Sequence, residues 1–231
     1  MIVWVASFPR SGNTFLRIVL KHLYGVRTSV VYDYDGVAER VGAELVGFAE
    51  RPAPFEAMRD SGEVHFVKTH RRRDSGTGPA DPAICLVRDG RDALVSWARL
   101  NSEADPGRYE TELRGLITGQ SGSGTWGANV LSWLRPPAPQ RMPLRYEDLV
   151  RDPRAAVEPI VAALAPGLPV LPDARIPSFA ELQRADARFF RRGLTGTHRD
   201  ELPGELHELF WSQPDNRAAM ELLGYGDRGQ P

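Results

Sequence analysis

Cysteine occurs once in the 231 residues, as Cys85 inside the apolar run Ala83-Ile84-Cys85-Leu86-Val87. A lone thiol excludes an intramolecular disulfide framework and a thiolate metal cluster, and it suits a reducing compartment. Lysine is nearly as scarce: Lys21 and Lys68 are the only two among 29 cationic side chains, the others being arginine. Against that background the presence of Lys68 is informative. No uncharged apolar stretch approaches the ~20 residues that a membrane helix needs, and Met1 leads straight into Ile-Val-Trp-Val without a basic leader. The expectation is a cytoplasmic protein without such an export signal or membrane anchor. An excess of positive charge is also missing. With 30 acidic residues against 29 basic ones, the formal net charge of -1 removes the general pull that nonspecific nucleic-acid binding requires.

What is present is an alternation of apolar strands and amphipathic helices, punctuated by short Pro/Gly clusters and free of repeats. That alternation reads as α/β, and the length suits one domain over residues 1–231 that buries roughly 70% of the surface its unfolded chain would expose. Ile2 to Ser7, Val64 to Thr69, Ile84 to Val87 and Met142 to Arg145 read as core strands. Helices are expected at Asn13 to Tyr24, Val37 to Glu50, Arg91 to Leu100, Tyr109 to Thr118, Ala128 to Leu134, Arg154 to Leu164 and Phe179 to Ala185. A C-terminal pair follows, near Glu205 to Trp211 and Arg217 to Leu223. The polar stretches 102–109 and 119–127 read as solvated connections or as lids.

The most informative segment is Phe8-Pro9-Arg10-Ser11-Gly12, between the first strand and first helix. A tight turn there, with Gly12 at its bend, aims unpaired backbone N–H groups at one point, where an anion binds. Arg10, Ser11 and Thr14 add side-chain donors. A plain strand-to-helix connection with a capping serine is the alternative. The usual ATP/Mg²⁺ loop, Gly-x4-Gly-Lys-Ser/Thr, does not match: Asn13 follows Gly12, and no glycine stands five residues before it. A phosphate ester other than ATP is implied.

Ser7-Phe8-Pro9-Arg10-Ser11-Gly12-Asn13-Thr14-Phe15 resembles the 5′-phosphosulfate loop of sulfotransferases that use 3′-phosphoadenosine-5′-phosphosulfate (PAPS), usually Tyr-Pro-Lys-Ser-Gly-Thr-Thr-Trp. Further segments match in the family's order. Val67-Lys68-Thr69-His70 resembles its Lys-x-His, which implies His70 as base and Lys68 as helper of the leaving group. Arg88-Asp89-Gly90-Arg91-Asp92-Ala93-Leu94-Val95-Ser96 resembles the segment binding the cofactor's 3′-phosphate through Arg88 and Ser96. Phe190-Arg191-Arg192-Gly193-Leu194-Thr195-Gly196 resembles the late element that closes over that phosphate. Ile176-Pro177-Ser178-Phe179 and Tyr146-Glu147-Asp148-Leu149 are similar to segments near the adenine, and the tail Leu222-Leu223-Gly224-Tyr225 is also family-like. Arg10 replaces the usual lysine, Phe15 the adenine-stacking tryptophan, and Thr197-His198 the common Asp-Trp. The short dimerisation motif of the animal cytosolic enzymes has no match, and the oligomeric state is not legible.

The resemblance implies a P-loop-like fold, with a parallel central sheet flanked by helices, and transfer of a sulfuryl group from PAPS to a hydroxyl or an amine of a small-molecule acceptor. The product would be 3′-phosphoadenosine-5′-phosphate (PAP). By the same resemblance His70, Lys68 and Arg10 would carry the chemistry. Arg10, Ser11, Gly12, Asn13, Thr14, Phe15, Arg88, Ser96, Tyr146, Phe179, Arg191, Arg192 and Gly193 would bind the nucleotide. No metal, nucleic acid or membrane partner is expected. A P-loop small-molecule kinase and a non-catalytic nucleotide-binding protein remain as alternatives. The triplet Arg71-Arg72-Arg73 is either solvated or a lure for an anionic acceptor, and the acceptor pocket is expected from loops around 33–60 and 101–127. Trp126 and Trp133 line the pocket or pack the core, with core favoured for Trp133.

Overall fold

Six consecutive buried residues form the first strand, β1 (Ile2–Ser7), which hydrogen-bonds to a parallel neighbour on each side. A parallel strand covered on both faces needs apolar side chains pointing both ways, which explains the unbroken run. In the computed structural model, which describes residues 1–74, 76–190 and 193–226, the elements follow in chain order. They are β1, α1 (Asn13–Tyr24), β2 (Thr28–Val30), α2 (Gly36–Val41), α3 (Ala43–Val46), α4 (Phe55–Asp60), β3 (His65–Thr69), β4 (Ala83–Val87) and α5 (Gly90–Asn101). After a 3-10 turn at Pro106–Arg108 come α6 (Tyr109–Ile117), α7 (Trp126–Leu134), β5 (Arg141–Arg145), α8 (Tyr146–Arg151), α9 (Pro153–Leu164), α10 (Phe179–Ala185), α11 (His198–Glu201), α12 (Gly204–Ser212) and α13 (Pro214–Leu223).

The five described strands form one parallel sheet in the order β2-β3-β1-β4-β5. The expected α/β class and helix-flanked parallel sheet are thus present. Strand alternation sorts the core into two faces. Val3, Val5, Phe66, Ile84, Leu86 and Leu144 meet Leu16, Leu20 and Leu23 of α1 and Val157 and Val161 of α9. Ile2, Trp4, Val67 and Cys85 face the other way, against Met58 and Trp133. A third cluster joins α5, α6 and α7 to the C-terminal helices through Leu94, Leu113, Trp126, Phe210 and Met220. No helix among the described residues is long and apolar enough to cross a membrane.

Some elements differ from the sequence reading. The helix expected over 37–50 is two short ones, broken at Gly42, whose φ of 98° no side-chain-bearing residue adopts easily. Strand β2 and helices α4 and α11 were not expected, whereas α8 starts at Tyr146, where the sequence also allowed a helix start. Because every strand is parallel, the carboxyl ends of β1, β3, β4 and β5 share one edge, and the turns leaving them carry Arg10, His70, Arg88 and Tyr146. Ligand sites of open α/β sheets lie at that edge.

Candidate active site

The turn after β1 is built around two left-handed residues, Arg10 at φ 63° and Gly12 at φ 98°. Gly12 is the N-cap of α1 and has no side-chain cap, so the first-turn N–H groups of the helix are left for a ligand. A Cβ on Gly12 would lie 2.5 Å from the Tyr146 ring, which therefore packs directly on the turn. Ser11 beneath it is fully buried, and its Oγ has no hydrogen-bond partner among the described residues. Asn13 differs from expectation in one respect. Its amide is turned inward and donates to Val5 O at 3.1 Å and to Ser7 Oγ at 3.1 Å. That Nδ2 is committed to holding the end of β1.

A cavity of about 1070 Å³ opens over this turn. Apart from Ser11, every expected site residue that the structure describes lines it: the loop from Arg10 to Phe15, Lys68, His70, Arg88, Ser96, Tyr146, Phe179 and Gly193. Arg191 and Arg192 lie outside the described residues. Arg88 is buried with its guanidinium 4.5 Å from the Tyr146 ring centre. It donates to Arg10 O and to Leu194 O, each at 3.0 Å, while its Nε has no partner among the described residues. Arg10 reaches Ser96 Oγ at 3.3 Å and Phe189 O at 3.0 Å, and lies over the Phe189 ring. Gly193 is left-handed, and a Cβ there would lie 2.5 Å from the Phe179 ring.

His70 follows β3 directly. Its Nδ1 lies 2.9 Å from Ser7 O and 3.2 Å from Ser7 Oγ. A carbonyl oxygen only accepts, so Nδ1 carries the hydrogen and Nε2 the lone pair. Tyr32 and Asn129 hold the His70 backbone: His70 N donates to Tyr32 Oη at 2.8 Å, and Asn129 Nδ2 donates to His70 O at 2.8 Å. Burial, then the charge of Lys68, pushes the imidazole down to about 3, so the ring is neutral at pH 7. Lys68 is also buried, and burial lowers its pKa, opposed by Asp35.

Tyr32, Asn129 and Asp35 carry no motif signature, and Ser7, though it opens the segment that resembles the phosphosulfate loop, was likewise assigned no individual role. Asp92, four residues after Arg88, lies 3.8 Å from its guanidinium, the pairing that is the structural alternative to phosphate binding by Arg88. It is fully buried and accepts from Gly196 N at 2.7 Å, His198 N at 2.9 Å, Thr197 Oγ1 at 3.3 Å and His198 Nδ1 at 2.8 Å. That single carboxylate fastens the loop after Gly193 to the first turn of α5. The one available signal was its place in the Arg88-to-Ser96 segment. Residues of 32–40 line the cavity, but none of its lining residues comes from 101–127. Trp126 and Trp133 belong to the core. Arg71 and Arg72 are exposed, with Arg71 stacked 5.4 Å from the centre of the Tyr32 ring.

Comparison with known proteins agrees with this geometry. The sulfotransferase domain family matches residues 2–164. A WSCD family member, GA21586, of Drosophila pseudoobscura pseudoobscura is 33% identical over 68% of this chain and 50% of its own length. Its counterpart CG9164 of Drosophila melanogaster is 34% identical over 63% of this chain and 44% of its own. The chain thus spans about half the length of these relatives. Sulfotransferase 1 family member D1 of Rattus norvegicus is 22% identical over 90% of this chain and 80% of its own length. In fold, the mouse sulfotransferase SULT7A1, crystallised with PAP, superposes with a TM-score of 0.68 at 18% identity, over 97% of this chain and 89% of that one. A family match over more than half of the chain, on a fold that brings the expected residues to one cavity, makes this chain a member of the sulfotransferase domain family.

Proposed function

We propose that the chain transfers a sulfuryl group from PAPS to a hydroxyl or amine of a small-molecule acceptor, with His70 as general base. One observation carries this reading: the Nδ1 hydrogen of His70 is taken up by Ser7 O, which leaves the Nε2 lone pair as the proton acceptor on a residue lining the cavity. When bound, PAPS supplies the sulfuryl group as its 5′-phosphosulfate. The residues present suit such a ligand. Ser11 Oγ and Arg88 Nε are buried polar atoms without partners among the described residues, as anion-binding groups would be.

In this reading the turn's N–H groups, Arg10 and Lys68 stabilise negative charge at the transferring end, and Arg88, Ser96, Arg191, Arg192 and Gly193 hold the 3′-phosphate. Phe15, Tyr146 and Phe179 form the adenine side. His70 enters neutral and receives the acceptor's proton at Nε2. An anion in the cavity would raise its pKa from about 3 toward the operating range, because a nearby negative charge favours the charged ring. Residues 1–231 act as one domain, and a cytoplasmic setting suits the single buried Cys85.

A thermal-shift series tests the ligand class. PAP without Mg²⁺ should raise Tm strongly. Stabilisation by ATP-Mg²⁺ instead would favour a kinase. His70→Ala should bind PAP as tightly as the parent yet lose about 10²-fold or more in turnover of radiolabelled PAPS against a panel of phenols, alcohols and amines. Normal turnover in that variant would remove the base from His70.

A further inference from the structure

Two cations and one carboxylate are buried together, and two of the three, Asp35 and Lys68, line the cavity. Arg17 on α1 is 0% exposed, Asp35 4% and Lys68 6%. Asp35 Oδ2 lies 2.6 Å from Arg17 Nη1, and its Oδ1 lies 3.7 Å from Lys68 Nζ. Arg17 is itself fixed, since its Nε donates to Thr28 Oγ1 of β2 at 2.6 Å. Lys68 is held at its backbone, paired with Val5 on one side and Val30 on the other.

Buried ion pairs seldom add net stability, and two cations sharing one carboxylate leave a positive charge unbalanced. The cluster is therefore a poor choice for holding the fold together. The unequal distances say what it is suited to. The carboxylate lies closer to Arg17 than to Lys68, and Lys68 is the member of the pair of cations that lines the cavity.

We infer that Asp35, anchored by Arg17, is a positioning residue for Lys68, holding its ammonium at the cavity wall without neutralising it so that the charge meets the oxygen leaving in sulfuryl transfer. The inference rests on the role given to Lys68 above. The groups facing this ammonium are Asp35, Arg17, His70 and the Tyr32 ring, whose centre is 5.3 Å away and which also carries Arg71. Burial and Arg17 lower the Lys68 pKa, and Asp35 raises it. Asp35 also caps α2, accepting from Val37 N at 3.2 Å, and asparagine caps about as well as aspartate. Asp35→Asn thus removes the charge and leaves the cap.

Because the chain has only two lysines, carbon-13 labelling of lysine Cε gives two signals, and Lys68→Met identifies the one from Lys68. In Asp35→Asn the Lys68 titration midpoint should fall by about one pH unit or more. Turnover of PAPS, with 4-nitrophenol as the probe acceptor, should drop about tenfold or more in kcat, with the PAP dissociation constant within about threefold. That variant strands the Arg17 charge, so Arg17→Met/Asp35→Asn, which removes both, is the companion. It should stay slow as well. Recovery of the parental kcat in the double variant, or an unmoved Lys68 midpoint in Asp35→Asn, would overturn the inference. Parental turnover in Lys68→Met would instead overturn the role of Lys68, and this inference with it.

Discussion

Gly12 illustrates how a single hydrogen atom in place of a side chain decides the site. Its φ of 98° and the 2.5 Å approach of the Tyr146 ring leave no room for a Cβ. Gly12→Ala should cost about 1–3 kcal/mol in urea unfolding and weaken PAP binding about tenfold, because the Tyr146 ring, which also lies against Arg88, must shift. Gly122, where a Cβ would meet nothing within 4 Å, is the control: Gly122→Ala should stay within about 0.5 kcal/mol of the parent. Equal effects at both positions would mean that the Tyr146 contact is unimportant. At this scale the sequence was most readable where a residue's own chemistry is unusual. Lys68 stood out because a lysine is rare here and Gly12 because a glycine bends, whereas His70 was marked by the resemblance of Val67-Lys68-Thr69-His70 to the family's Lys-x-His. Ser7, Asn129 and Asp35 did not stand out, because each acts through a partner more than 30 positions away that only the folded sheet brings near.

Among the elements, the connection between α5 and the loop from Gly193 to His198 is the most consequential. Four hydrogen bonds from Gly196, Thr197 and His198 converge on Asp92. Asp92→Ala should release them, so limited proteolysis near residues 193–203 should accelerate and PAP affinity fall about tenfold, while the far-UV circular dichroism is retained. Unchanged cleavage and affinity would show that the loop is held by other means. Long periodic elements such as α1, α5 and α9 were legible. Strand β2 was not, since Thr28-Ser29-Val30 is too short to display an alternation. The segment 37–50 has helical periodicity throughout, and its interruption at Gly42 is a matter of backbone geometry that the pattern of apolar residues does not record.

At the scale of the whole molecule, acid stability should report the site. His70 is held at about 3, below the ordinary imidazole value, so the unfolded chain binds its proton more readily. Stability from this group is complete above about pH 6.5 and is lost as the pH falls from there toward 3. Between pH 7 and pH 5 the loss should be at most about 2 kcal/mol larger in the parent than in His70→Asn, measured by urea unfolding at each pH. Asp92 behaves likewise in a lower window. Burial would raise its pKa, but hydrogen bonding from His198 and the charge of Arg88 outweigh that and hold it at about 2, so its contribution disappears only as the pH drops from about 4 to 2. Identical pH dependence in the parent and His70→Asn would contradict the depressed imidazole. The strand order was the part of the fold least open to reading, because nothing local to Ile2–Ser7 says which strands will flank it.

That order has a consequence for how the chain comes into being. The central strand is made before either of the neighbours it pairs with, His65–Thr69 and Ala83–Val87. During synthesis a segment destined for full burial waits with both edges open until the ribosome has passed Thr69, and with one still open until it has passed Val87. Such distant pairing is slow, and an uncovered strand is prone to join the wrong partner. The nascent stretch from Ile2 to Val87 is therefore where a chaperone would matter most.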